Sequence, residues 1–452
     1  MQDLTTGSIP KHVVRMALPI AFGMFFQTLY VLVDLYFVSH NGQDAIAGVG
    51  AGSNLQFIVM ALTQVLGVGT VTLIAQAVGR KDRDDANLVF NQSLLIALLC
   101  AVLTLVAGYG LSGQYMRLLG ASPATMAAGV TYLNWFLPGL ALQFAMIAMG
   151  SALRGTGMAA PGMIVQIITV LINALLAPIL IAGWITGHPF GVAGAGMATS
   201  AAVAVGVVIL TLYFLKLEKF VGFDTTLMHA RLAVWKRILA IGLPAGGEFA
   251  LMFIYMGVIY AIIAGFGAQA QAGFVIGSRV MQAIFLPAMA IAFAVAPIAG
   301  QNVGAKQHDR VRETLRTALL FGSALMLLLT LACQLRPEWP VHFFSADPKV
   351  VAVATGFLQV ISLNFIAQGI IFTCSGMFQA LGNTVPAMVS SGTRLVTFAI
   401  PGILLSHRPG FELQHLWYLS VATVTLQAIT SLLLLRGQFQ RRLVARPAVG
   451  VS

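Results

Sequence analysis

Long apolar runs fill this chain from end to end, broken only by short segments that hold its charges, glycines and prolines. A bilayer core takes about 20 apolar residues per helical span, whereas a soluble domain typically has roughly 25% charged residues. Here 58% of the residues are hydrophobic and only 9% are charged. A membrane β-barrel would instead show alternating segments of about ten residues. The sequence therefore predicts an all-α polytopic membrane protein.

Reading the apolar runs against their polar breaks predicts twelve transmembrane helices. Several of the runs are longer than a straight span needs, which indicates tilted or bent helices. The predicted spans are 14–38, 51–78, 87–111, 126–152, 161–183, 192–216, 238–265, 272–303, 312–335, 350–378, 385–405 and 414–436.

The basic residues predict the orientation of these spans. Of the 25 Lys and Arg residues, nineteen fall in segments on the side of the N-terminus and four fall on the opposite side. Positive residues accumulate on the cytoplasmic side of membrane proteins. We therefore expect both termini to be cytoplasmic, in the inner membrane of a bacterium. This topology also accounts for the basic pI of about 9.9, so we expect no nucleic-acid partner.

The two halves of the chain align on each other without a gap at an offset of 225 residues. Matches of glycine, proline, glutamine and lysine in one register carry this alignment, because apolar residues match by chance. They include Leu18-Pro19 with Leu243-Pro244, Gly52-Ser53 with Gly277-Ser278, Gln76 with Gln301, and Lys81 with Lys306. An even number of spans in each half makes the repeats parallel. The pattern predicts two six-helix lobes.

The predicted domain boundaries follow from this repeat. The N-terminal lobe covers 1–215, a charged cytoplasmic linker covers 216–237, the C-terminal lobe covers 238–436 and a cytoplasmic tail covers 437–452. A cavity between two such lobes, opened to either side by rocking of one lobe against the other, would give alternating access.

Several glycine-rich motifs resemble one family. AGQNVGA (299–305) and its counterpart AQAVGR (75–80) end spans eight and two, and AIAGVG (45–50) follows the first span. With INALLAPILI (172–181) in span five, they resemble the multidrug and toxic-compound extrusion family over nearly the whole chain. One departure is that Ala177 stands where many members have an acidic residue four positions after the asparagine.

This resemblance implies a secondary active exporter. It would exchange lipophilic, mostly cationic drugs or toxic metabolites for H⁺ or Na⁺, as a monomer in the bilayer with no cofactor and no enzyme activity. The missing acid at Ala177 favours protons, because Na⁺ prefers several fixed oxygens. Neither the histidines, which lie in loops or at span ends, nor the three cysteines have metal-ligand spacing, so we expect no metal site.

Asp34 and Glu248 are the only acidic residues deep within the predicted spans. A charged residue at a helix centre in the membrane costs roughly 2.5–3.5 kcal/mol, and protonation removes that cost. Asp34 also ends a stripe with Gln27 and Tyr30 on one face of span one. The resemblance assigns Asp34 and Asn173 to a cation-coupling cluster, with Tyr132 as a further candidate. Permanent interhelical hydrogen bonds are the alternative for these side chains.

The predicted substrate cavity draws on both lobes. Glu248, Met252 and Tyr255 share a face of span seven, and Asn364 and Gln368 share a face of span ten. Arg279 of span eight either lines the cavity or neutralises Glu248. Gln27 and Tyr30 complete the predicted lining.

Other functional classes remain open alternatives. A lipid-linked precursor flippase of the same superfamily would have several cationic residues in its cavity, whereas only Arg279 and Arg394 lie within spans. A major facilitator type drug carrier would have a glycine-spaced basic motif after span two, and VGRKDRDDAN (78–87) lacks the second glycine. A channel would need rings of polar residues, and a membrane enzyme would need a clustered catalytic set.

Overall fold

The computed structural model describes residues 1–39, 43–119, 122–185, 187–342 and 347–443, without the side chains of 29–35, 39 and 43. Within these ranges the regular elements are helical. The α-helices are α1 (Ile9–Ser39), α2 (Gln43–Gly79), α3 (Arg83–Leu118), α4 (Pro123–Gly155), α5 (Ala160–Ile181), α6 (Val192–Lys216), α7 (Leu232–Ala264), α8 (Ala268–Gly304), α9 (His308–Leu335), α10 (Glu338–His342), α11 (Pro348–Ile361), α12 (Phe365–Ala380), α13 (Val385–Ser406) and α14 (Leu413–Leu443).

Short polar residues and prolines mark where several helices begin. Asp82 and Ser122 accept hydrogen bonds from backbone N–H groups in the first turns of α3 and α4. Asp347 does the same for α11, and Pro348 follows it at the first helical position. Such caps satisfy N–H groups that have no partner within the helix.

Twelve helical segments in the described ranges are long and apolar enough to cross a membrane. Each overlaps one of the spans predicted from the sequence, so the predicted all-α fold is confirmed. The tenth segment, Pro348–Ala380, consists of α11, a 3₁₀ turn at Ser362–Asn364 and α12. The last helix continues to Leu443, beyond the predicted end of the membrane domain at residue 436.

The chain divides into two compact units. Unit 1 consists of Met1–Asp3 and Leu18–Gly242, and unit 2 consists of Leu4–Ala17 and the residues from Leu243 onward. The boundaries predicted from the sequence differ from these. Residues 4–17 belong to unit 2, and the predicted linker, 216–237, lies within unit 1. Long-range hydrogen bonds of both segments account for the difference.

The segment before α7 is bound to α3 within unit 1. The Gln92 side chain donates to the carbonyls of Leu227 and His229 at 2.7 Å each. Its Oε1 accepts from the Trp235 indole at 2.8 Å. Arg237 adds a bidentate ion pair with Asp85, at 2.8 and 3.0 Å. The predicted linker is therefore an integral part of this unit.

The segment before α1 is bound to the end of α8 and the start of α9 within unit 2. The Leu4 N–H donates to Gln301 Oε1 at 2.9 Å, and the Leu4 carbonyl accepts from Asn302 Nδ2 at 3.2 Å. Arg310 Nη1 donates to the Gly7 carbonyl at 2.9 Å. Residues preceding the first helix are thereby attached to the second repeat.

The repeat is visible in backbone detail. Lys81 and Lys306, which match at the offset of 225, have φ angles of 59° and 58° in the turns after α2 and α8. A Cβ atom on Gly52 would lie 2.8 Å from Tyr132 Cδ1, and one on Gly277 would lie 2.4 Å from Phe357 Cδ1. Tyr132 and Phe357 also match at this offset, so the same close approach recurs in both units.

Candidate functional site

The predicted stripe on α1 is only partly described. The backbone of α1 is helical through Tyr30 and Asp34, but the side chains of these two residues lie outside the described part of the structure. Gln27 is exposed. The assignments of Asp34 and Tyr30 stay predictions from the sequence.

Asn173 is buried between α5 and α6 in unit 1, with no exposed surface. Its Nδ2 donates to Thr199 Oγ1 at 3.5 Å, which is a long hydrogen bond, and Thr199 donates to the Ala195 carbonyl at 3.1 Å. Among the described residues, Asn173 Oδ1 has no hydrogen-bond partner. A buried carbonyl oxygen without a donor can accept a proton-bearing group or coordinate a cation.

Tyr132 is buried on α4 and stacks on Phe136, with 4.8 Å between ring centroids. Its ring lies over Gly52 of α2, as Phe357 lies over Gly277 in the second repeat. Because a phenylalanine ring fills the corresponding position, the packing of Tyr132 by itself indicates a structural contribution to the contact between α2 and α4.

Glu248 lies partly buried on α7, in the interior of unit 2. Its Oε2 accepts a hydrogen bond from Ser375 Oγ of α12 at 2.9 Å. Arg279 is exposed, and in the described part of the chain no ion pair joins it to Glu248. Met252 is 46% exposed. The structure therefore brings Glu248 next to a hydroxyl rather than next to the arginine considered from the sequence.

Tyr255 and Gln368 are brought together by Arg394 of α13. The Arg394 guanidinium carbon lies 4.1 Å from the Tyr255 ring centroid. Its Nη1 donates to Gln368 Oε1 at 3.3 Å and to Gln427 Oε1 of α14 at 3.4 Å. The Tyr255 hydroxyl is 2.9 Å from Ser420 Oγ. We refer to Arg394, Tyr255, Gln368 and Gln427 as the arginine cluster.

Two features of the sequence point to this cluster. Helical spacing predicts that Tyr255 and Gln368 line the substrate cavity. Arg394 stands out only as a cation within a predicted span. A cation within a transmembrane helix usually faces the bundle interior and has polar partners, which could have pointed to Arg394. The contributions of Gln427, Ser420 and Ser375 had no comparable signal.

Asn364 lies in the 3₁₀ turn that interrupts the tenth span. It is 4% exposed, and its Oδ1 has no hydrogen-bond partner among the residues that the structure describes. The turn is held by Thr330 Oγ1, which donates to the Ser362 carbonyl at 3.0 Å, and by Gln334 Nε2, which donates to Ser362 Oγ at 2.8 Å. Short 3₁₀ stretches inside helices often mark functional hinges. The structure does not place Asn364 among the hydrogen bonds of the arginine cluster.

A family profile described as MatE matches residues 19–179 and 244–404 of this chain. The chain belongs to the MatE family. The second match begins and ends 225 residues after the first, which is the offset of the repeat predicted from the sequence. This result confirms the resemblance inferred from the glycine-rich motifs, and it replaces the major facilitator alternative.

Named relatives and solved structures agree with this assignment. The chain is 26% identical to a "Probable multidrug resistance protein NorM" of Thermotoga maritima, over 96% of this chain and 94% of the relative. It is 25% identical to a "Multidrug export protein MepA" of Staphylococcus haemolyticus, over 83% and 82% of the two chains. A solved outward-facing MATE family transporter superimposes with a TM-score of 0.91 at 23% identity, over 98% of each chain. The fold of this MatE protein is thus a two-lobed helical membrane fold.

Proposed function

We propose that this MatE protein exports lipophilic, mostly cationic organic compounds by antiport. The named relatives support drug export, and Glu248 is the observation on this chain that carries the cationic preference. Its carboxylate lies partly buried among transmembrane helices with a serine hydroxyl as its hydrogen-bond partner. A charge held inside a membrane bundle usually has a partner of opposite charge, and a cationic cargo would provide one.

The proposed coupling ion is a proton, with Na⁺ as the alternative. Asp34 would bind it and Asn173 would respond to it, as the family resemblance implies. Asn173 Oδ1, which has no hydrogen-bond partner in the described part of the chain, supports a site that accepts a donor or a cation. Ala177 is apolar and fully buried one turn later, which leaves fewer fixed oxygens than Na⁺ prefers.

The proposed orientation has both termini in the cytoplasm of a bacterial cell. It rests on the excess of Lys and Arg in the segments on the side of the N-terminus. Binding of a cation from outside and of cargo from inside would then favour different states of the two-lobe equilibrium, and exchange of the two would drive export.

Dye transport in everted membrane vesicles tests this function. A pH gradient and a Na⁺ gradient, applied separately, should show that the pH gradient drives uptake of rhodamine 123. Asp34→Asn mimics the protonated carboxyl, so it should still bind the dye but lose gradient-driven transport. Asp84→Asn, at an exposed aspartate in the first turn of α3, is the matched control.

Two results would contradict the proposal. Transport by Asp34→Asn at the wild-type rate, in a normally expressed protein, would remove Asp34 from coupling. Absence of dye transport with either gradient, together with transbilayer movement of a lipid-linked sugar in proteoliposomes, would favour the flippase alternative instead.

A further inference from the structure

Arg394 carries a charge that the described residues of unit 2 do not neutralise. Its neighbours in the arginine cluster are two amides and a phenol ring, all of them uncharged. In the described part of the chain, no carboxylate lies within 4.0 Å of its guanidinium. Unpaired charges inside membrane bundles are costly, and where they occur they mark functional sites. Arg394 therefore needs an explanation beyond helix packing.

The hydrogen bonds of Arg394 are all made by one end of its guanidinium. Nη1 donates to both glutamine oxygens, at 3.3 and 3.4 Å. Nε is shielded and has no partner, and Nη2 has no acceptor among the described residues. Nη2 is thus the nitrogen of the planar group that an incoming anion can reach, and it can donate a charge-assisted hydrogen bond to a carboxylate oxygen. The glutamines and the Tyr255 ring fix the group while Nη2 stays unused among the described residues.

We propose that Arg394 binds the carboxylate of transported molecules. The residue keeps part of its surface accessible, and Nη2, unlike Nε, is not shielded, so an anion would meet Nη2 first. The arginine cluster thus offers an anion site inside a lobe whose other ionisable residue of interest, Glu248, is acidic.

The position of Glu248 extends this proposal to the class of cargo. Glu248 and Tyr255 lie seven residues apart on α7, which corresponds to about 10 Å along a helix axis. Their side chains share a face of the helix. A molecule with an amine near Glu248 and a carboxylate near Arg394 would satisfy both charges. This inference rests on the proposed export of organic cations and assigns the carboxylate end of such a cargo to Arg394.

Two related dyes separate the anion site from general dye binding. Rhodamine 110 has a free carboxylate, and rhodamine 123 is its methyl ester. Binding of each dye to the purified full-length protein is measured by fluorescence polarisation. Arg394→Gln should weaken binding of rhodamine 110 about tenfold, because a charge-assisted hydrogen bond is lost. Binding of rhodamine 123 should change by less than about twofold.

Two further variants sharpen the measurement. Arg394→Lys keeps the charge but loses the planar guanidinium that the glutamines and the Tyr255 ring hold in place, so it should fall between wild type and Arg394→Gln for rhodamine 110. Arg408→Gln removes an exposed arginine just after α13 and should leave both affinities unchanged. Size-exclusion profiles show whether each variant is folded.

The outcomes are distinct. Equal losses of both dyes in Arg394→Gln, or tight wild-type binding of rhodamine 123 without binding of rhodamine 110, would overturn the anion site. If Arg394→Gln is not monodisperse, competition on the wild type decides: benzoate should displace rhodamine 110 and not rhodamine 123, and failure to discriminate would overturn the proposal. If the wild-type protein binds neither dye, the proposed export of organic cations is contradicted, and the anion site that rests on it is contradicted as well.

Discussion

Asn173 and Thr199 form a buried polar pair in unit 1, and the residues 225 positions later in unit 2 are Phe398 and Val424. Both members of the pair are thus apolar in the other repeat. Phe398 is fully buried and packs on Tyr255, with 4.7 Å between ring centroids. The site that holds an amide and a hydroxyl in one unit is a hydrophobic contact in the other.

The opposite change occurs around Glu248. Glu248 and its partner Ser375 correspond to Gly23 and Gly150 in the first repeat. Likewise, Arg394 and Gln427 correspond to Thr169 and Ala202. A buried polar group left without its partner costs about 1–3 kcal/mol, so hydrogen-bonded residues are expected to change together. The two repeats thus share their backbone, while their hydrogen-bonded polar residues differ pair by pair.

The largest effect should come from a scaffold position at which the two repeats differ. A Cβ atom on Gly242 of α7 would lie 2.0 Å from the Val65 carbonyl oxygen of α2, and the equivalent residue of the first repeat is Ala17. Gly242→Ala should destabilise the protein by about 3 kcal/mol, measured as a lower melting temperature in detergent. Ala17→Gly, the reciprocal change, should cost about 1 kcal/mol. Similar losses for the two variants would show that the repeats pack alike here.

The next largest effect should come from removing the negative charge of Glu248 in unit 2. Glu248→Gln keeps the shape of the side chain, so it should weaken binding of cationic rhodamine 123 about tenfold, the loss of one charge-assisted contact. A neutral dye of similar size should be affected much less. Ser375→Ala removes only the hydroxyl partner and should have the smaller effect on the cation. An equal loss for cationic and neutral dyes would indicate a structural role for Glu248.

The two turns with positive φ should respond alike, because both repeats share them. Lys81 and Lys306 adopt a left-handed conformation, which costs a non-glycine residue roughly 1–2 kcal/mol. Lys81→Gly and Lys306→Gly should therefore each stabilise the protein by about 1 kcal/mol, seen as a higher melting temperature. A stabilisation in only one of the two turns would reveal a difference in the scaffold that the backbone does not show.

The smallest effect on stability should come from converting the unit 1 pair toward its counterpart. Within the described ranges, Asn173 makes one long hydrogen bond and its Oδ1 has no partner, so its polarity contributes little to folding. Asn173→Leu combined with Thr199→Val should change the free energy of unfolding by less than about 1 kcal/mol, while transport falls. A large loss of stability would show that the pair is structural, whereas unchanged transport would remove it from coupling.

The sequence predicted the spans and the repeat because hydropathy, and the match of one half of the chain to the other, can be read from the order of the residues alone. It could not predict where the units divide, since Leu4 binds Gln301 nearly three hundred residues away. Spacing placed Glu248 and Tyr255 on one face of a helix, but their partners Ser375 and Ser420 come from other helices. The sequence identifies Arg394 as an intramembrane cation, but its neutral neighbours come from α7, α12 and α14, which are distant from α13 or separate from it along the chain.

The division of the chain at Leu18 and Leu243 has a practical consequence for cutting the gene. Unit 1 uses residues 232–242 from the start of α7, and unit 2 uses Leu4–Ala17 from the start of the chain. A split anywhere within 217–231 therefore gives two fragments, and neither fragment contains a whole unit. Each half would expose the surface that the other normally covers, so the halves should be obtained in folded form by coexpression and not separately.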